Sequence, residues 1–80
     1  MIPIKTETTN AVFVAKNCED LPATTCHDDY GINYVETCWQ MSDEELQEVI
    51  KSKCVYINTI GTEVLPMRVE SRSLIVNGED

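Results

Sequence analysis

The chain has 80 residues, with 14 acidic and 6 basic side chains, a formal charge of −8 and four cysteines. A chain of this length is one small domain that buries only about 60–65% of its unfolded surface, so an oligomer, a metal, disulfides or a bound partner is expected to complete its core. The negative charge excludes general binding to nucleic-acid polymers and docking on anionic membranes, both of which need basic clusters.

Met1-Ile2-Pro3-Ile4-Lys5-Thr6-Glu7 lacks the basic and apolar regions of a signal peptide. No apolar run approaches the ~18 residues of a membrane span. The expected setting is the cytoplasm, where Cys18, Cys26, Cys38 and Cys54 would be reduced thiols.

In chain order, Asn10 to Ala15 is a short apolar run that predicts a strand. Residues 16–31 are polar, contain Pro22 and Gly31, and predict a long loop. Ile32 to Gln40 returns to strand character. Asn33, Val35, Thr37 and Trp39 alternate with Tyr34, Glu36 and Cys38, and neither set is purely apolar.

The strongest local signal follows. Ser42 and Glu45 have the spacing of a capping box, and Met41 and Leu46 that of a hydrophobic staple. Asp43 and Glu44 suit the positive end of a helix; Lys51 and Lys53 suit the negative end. Leu46, Val49 and Ile50 form a narrow apolar stripe. These residues predict one helix from about Asp43 to Lys53, lying on a sheet.

Cys54 to Ile60 is rich in β-branched and aromatic residues and predicts a strand. Gly61-Thr62 would turn it into a Glu63–Glu70 segment that Pro66 confines to an edge or a bulge. Ser73 to Val76 is a last short strand candidate, and residues 77–80 a frayed tail. The expected fold class is α+β: one amphipathic helix packed on a small, mostly antiparallel sheet, in the order β-β-α-β-β.

Cys26-His27-Asp28-Asp29, flanked by Cys18 and Cys38, is the obvious metal candidate. Its cysteine spacings contain no zinc-knuckle interval, so no metal or other cofactor is expected. Cys26 and His27 are adjacent and would point apart in an extended segment, which disfavours a nucleophile pair. With one histidine and three glycines, the chain has little catalytic or phosphate-cradling equipment, and an enzyme is not expected.

The candidate binding residues are aromatic and cationic. Trp39 reads first as a core anchor between sheet and helix, and second as a stacking platform. Tyr56 and Tyr30 are further aromatic candidates, with Tyr30 the more exposed. Lys51, Lys53, Arg68 and Arg72 gather four of the six cations in the second half, where they would form either a solvated face or an anion pocket. Glu19-Asp20, Asp28-Asp29 and Asp43-Glu44-Glu45 are negative groups that solubilise a surface or dock on a basic protein.

From Val35 to Leu46 the chain resembles a group of very short bacteriophage accessory proteins. In these a C-W-x-hydrophobic-S/T segment leads into one helix, followed by a strand, a glycine turn and a proline-containing segment. The matching residues are Cys38, Trp39, Met41 and Ser42, then Val55 to Ile60, Gly61 and Pro66. The resemblance covers the C-terminal half and carries no catalytic residue. It implies a phage origin and action in the cytoplasm of an infected bacterium, where such proteins antagonise antiviral defence. Two mechanisms follow: blocking a host defence protein, or sequestering a nucleotide second messenger, with a homo-oligomer expected for either. A phage structural or assembly protein and a zinc-stabilised module are the alternatives.

Overall fold

A computed structural model describes residues 1–62 and 66–75. Among these described residues, five strands and one helix follow in chain order: β1 (Ile2–Ile4), β2 (Ala11–Phe13), β3 (Leu21–His27), β4 (Asn33–Glu36), β5 (Cys38–Gln40) and α1 (Asp43–Ser52). All strand pairing is antiparallel, in a three-stranded sheet β2-β3-β4 and a two-stranded sheet β1-β5. The α+β class is as expected. The positions of several strands are not.

The largest correction falls at residues 16–31. Leu21–His27 is not loop but the central strand β3. Its two halves have different neighbours: Leu21, Pro22 and Ala23 face β2, while Thr24 to His27 face β4. Pro22 therefore sits where the sheet has a strand on one side, and its missing N–H is tolerated there. Asn10 secures the second half from the β2 side. Its Nδ2 donates to the Thr25 carbonyl at 2.9 Å, and its Oδ1 accepts from the Thr25 N–H at 2.8 Å and from the Thr25 hydroxyl at 3.2 Å. One amide side chain thus does what a further residue of β2 would do. The core lies here: Ala23 is 2% exposed, and Thr24 beside it is buried with its hydroxyl 2.8 Å from that of Thr8.

The run Ile32–Gln40 is two strands, not one. β4 pairs with β3, and after Thr37 the chain crosses to pair with β1. Thr37 marks the crossing, and its hydroxyl accepts from the Trp39 indole N–H at 2.9 Å. β1, unmarked by the sequence reading, holds Pro3 opposite Trp39.

The helix matches the expectation to within one residue. The Ser42 hydroxyl accepts from the Glu45 N–H at 3.2 Å, and Glu45 Oε1 accepts from the Ser42 N–H at 2.9 Å. Glu45 Oε2 also pairs with the Met1 ammonium group, tying the start of the chain to the helix. Lys53 closes the helix in the left-handed region, at φ 60°, its N–H donating to the Val49 carbonyl. The expected burial of the apolar stripe is absent: no residue of α1 is buried, and Leu46 and Ile50 are exposed. Ser42→Ala should cost about 1 kcal/mol in a urea melt, because it removes the acceptor for an orphan helix N–H. A loss below about 0.3 kcal/mol would show that the cap contributes little.

Cys54 to Ile60 forms no strand with any described residue, and Pro66 to Glu70 and Ser73 to Ile75 are likewise not strands. The Glu63-Val64-Leu65 part of the expected hairpin, Val76 and the expected tail at 77–80 lie outside the described residues. The 73–75 turn returns to the sheet through Glu36. Its carboxylate accepts from the Ser73 hydroxyl at 2.6 Å and from the Leu74 N–H at 3.1 Å.

Candidate binding surface

The Cys26-His27-Asp28-Asp29 cluster resolves into hairpin chemistry. Cys26 and His27 alternate along β3, opposite Tyr34 and Asn33. Asp28 and Ile32 close a three-residue loop, with the Asp28 N–H donating to the Ile32 carbonyl at 3.0 Å. Gly31, at φ 81°, takes the left-handed position such a loop requires. Asp28 Oδ1 accepts from the Tyr30 and Ile32 N–H groups, each at 2.9 Å, and Oδ2 accepts from the Tyr34 hydroxyl at 3.2 Å. Both carboxylate oxygens are thus engaged inside the loop. Among the described residues no group of three or more histidine, cysteine or acidic side chains is placed to hold a metal ion. The four cysteines are free thiols.

These bonds favour the charged form of Asp28. The Ile32 N–H contributes most to holding its carboxyl below the ordinary value of 3.8; desolvation, next in size, opposes it, and the Tyr30 N–H, the Tyr34 hydroxyl and nearby His27 add to the lowering. A depressed folded value means stability that is present above 3.8 and lost as pH falls through the lower folded value. A carbon-detected NMR titration should therefore place the Asp28 midpoint below 3.8, and Tyr34→Phe should raise it. A midpoint at or above 3.8 would contradict the loop geometry. Glu45 is lowered in the same sense, first by the Met1 ammonium group and then by the Ser42 N–H.

The seven candidate binding residues are all exposed, and they lie on several different segments of the chain. Tyr30 is at the β3–β4 hairpin tip, 90% exposed. Trp39 is in β5 and 48% exposed, so it is no core anchor. Lys51 is in the last turn of α1 and Lys53 caps it. Tyr56 follows the helix at 89% exposure, and Arg68 and Arg72 lie on exposed non-strand segments. Two grooves of the described surface bear on this. Ile2, Gln40, Met41, Ser42 and Glu45 line one; Lys5, Thr6, Thr9, Asn10, Ala11 and Val12 line the other. Neither of these two grooves is lined by any of the seven.

What the surface does present is apolar. Val12, Phe13 and Val14 are exposed on and after β2; Leu46 and Ile50 on α1; Val55, Tyr56, Ile57 and Ile60 beyond it. Sequence reasoning missed most of this exposure because it lays Leu46 and Ile50 on a sheet and places the others in strands, with only Tyr56 among its binding candidates. In the chain, Glu19 and Asp20 follow β2, and Asp43 and Glu44 open α1. Isolated exposed apolar side chains are ordinary, but here most of the large apolar side chains of β2, α1 and the segment after it are exposed. No described helix is long and apolar enough to cross a membrane. Comparison with known protein families, curated proteins and solved structures finds no match for this chain.

Proposed function

We propose that this chain is a small, acidic, non-enzymatic binding protein that docks on another protein. The observation that carries this reading is the exposed apolar area on a chain of charge −8, while Lys51, Lys53, Arg68 and Arg72 line neither groove. Apolar area supplies affinity, and the net negative charge steers the chain toward a basic partner. Taken with the resemblance to phage accessory proteins, the proposed role is antagonism of bacterial antiviral defence by occupying a basic site on a host defence protein. Sequestration of a nucleotide second messenger is the second reading. It is favoured only by the open faces of Tyr30 and Tyr56, which are free to stack on a base.

Two assays on the purified chain test this. Thermal unfolding is followed with a panel of nucleotide second messengers, where saturating ligand would add about 2.7 kcal/mol at a hundredfold its Kd. Host proteins captured on the immobilised chain are then compared between about 50 mM and about 500 mM salt. The expected results are no nucleotide shift, and a basic host protein whose capture falls with salt and with Glu19→Lys/Asp20→Lys. A nucleotide shift, or no salt-sensitive capture, would overturn the docking reading.

A further inference from the structure

The accessible surface of the chain is 7550 Å². A folded monomer of 9.0 kDa should expose about 4,900 Å². Even if every residue outside the described set were wholly exposed, those eight would account for only about 1,300 Å² of the difference at the rate of an unfolded chain. About 1,400 Å² or more remains. That matches the share each subunit gives up in an obligate dimer, which buries about 2,000–5,000 Å² in total.

Two features locate the missing contact. The first is Cys54 to Ile60. Its composition is that of a strand, with Val55, Tyr56, Ile57, Thr59 and Ile60 in seven residues and no charge. Yet it pairs with no described residue, and its apolar side chains stand in solvent. The second is the outer edge of β2. From Thr8 to Ala15 this edge carries no charge and no proline, the usual devices by which an exposed edge is protected from pairing. A groove runs beside it, lined by Lys5, Thr6, Thr9, Asn10, Ala11 and Val12. The other edges are less suited. β1 contains Pro3, Glu36 of β4 is engaged with the 73–75 turn, and β5 leads at once into the helix cap.

We infer that two copies of this chain form a strand-exchanged dimer, in which Val55–Ile60 of each adds to the β2 edge of the other. Main-chain hydrogen bonds supply the pairing and the alternating apolar side chains supply the burial. The exchange is reciprocal, so it closes as a two-fold dimer rather than a fibre. Antiparallel addition places Lys51 and Lys53 beside the β2–β3 connection, which carries Glu19 and Asp20 as well as Lys16. The dimer would cover the Val12 and Val55–Ile60 parts of the apolar area, so the host partner proposed above would dock on what remains, with Leu46 and Ile50 of α1.

Sedimentation equilibrium on the whole chain tests this with two variants. Val12→Lys puts a charge on the accepting edge; Ile57→Pro removes a main-chain donor from the added strand. Wild type should sediment at twice 9.0 kDa and each variant alone at 9.0 kDa. An equimolar mixture of the two variants should regain a dimer, because one of its two strand additions pairs an intact edge with an intact strand. If a variant alone is unfolded, its helical circular dichroism should return on mixing. A wild type that stays at 9.0 kDa at every concentration overturns the inference, as do variants that remain dimeric or a mixture that recovers neither mass nor helix.

Discussion

Asn10→Ala should destabilise the chain by about 2 kcal/mol, measured by urea unfolding at a fixed protein concentration. The Asn10 side chain makes three hydrogen bonds to Thr25, two of them to its backbone N–H and carbonyl. Each is worth about 0.5–1.5 kcal/mol net, and partial exposure lets water replace some of that. The loss is large for a domain whose whole stability is of order 5 kcal/mol. It should also propagate, because Asn10 is what holds the β4-facing half of β3 from the β2 side. Asn10→Asp should not rescue, since it sets a carboxylate oxygen against the Thr25 carbonyl where a donor stood. A loss under about 0.5 kcal/mol for Asn10→Ala would mean that water serves Thr25 as well as the side chain does.

Ala23→Leu should cost about 1–3 kcal/mol, for the opposite reason. Ala23 is 2% exposed and faces Ala11 across the β2–β3 pair. Added methylenes there must push strands apart or force strained side-chain conformations. Ala11→Leu, at a half-buried position, should cost less. Equal and negligible losses at both positions would show that the β2–β3 pair has room to spare.

The parts of this fold legible in the sequence are those set by neighbouring residues. Ser42 and Glu45 mark the start of α1 because a capping box is a contact over three positions. The valines and phenylalanine around β2 mark a strand because their branching suits a pleat. β3 was hidden because its status depends on distant partners. Leu21–His27 contains a proline and few β-branched residues, and it is held by β2, β4 and the Asn10 side chain. The indecisive alternation along Ile32–Gln40 has a physical cause, since its two halves belong to different sheets. The Asp28-Asp29 pair looked like ligand chemistry and is turn chemistry, with Asp28 satisfied inside its own loop. The candidate site was least legible. Composition places Trp39 and the helix stripe in a core, but both are largely exposed, and the strand propensity of Cys54–Ile60 is not matched by a partner strand among the described residues.

The proposed dimer would account for these features together: association would complete the fold and cover apolar area that the single chain leaves open. The most direct test is the dependence of the unfolding midpoint on protein concentration. If folding is coupled to association, a hundredfold rise in concentration should stabilise the chain by about 2.7 kcal/mol and raise both the thermal and the urea midpoints. Midpoints that do not move between micromolar and hundred-micromolar protein would contradict the account.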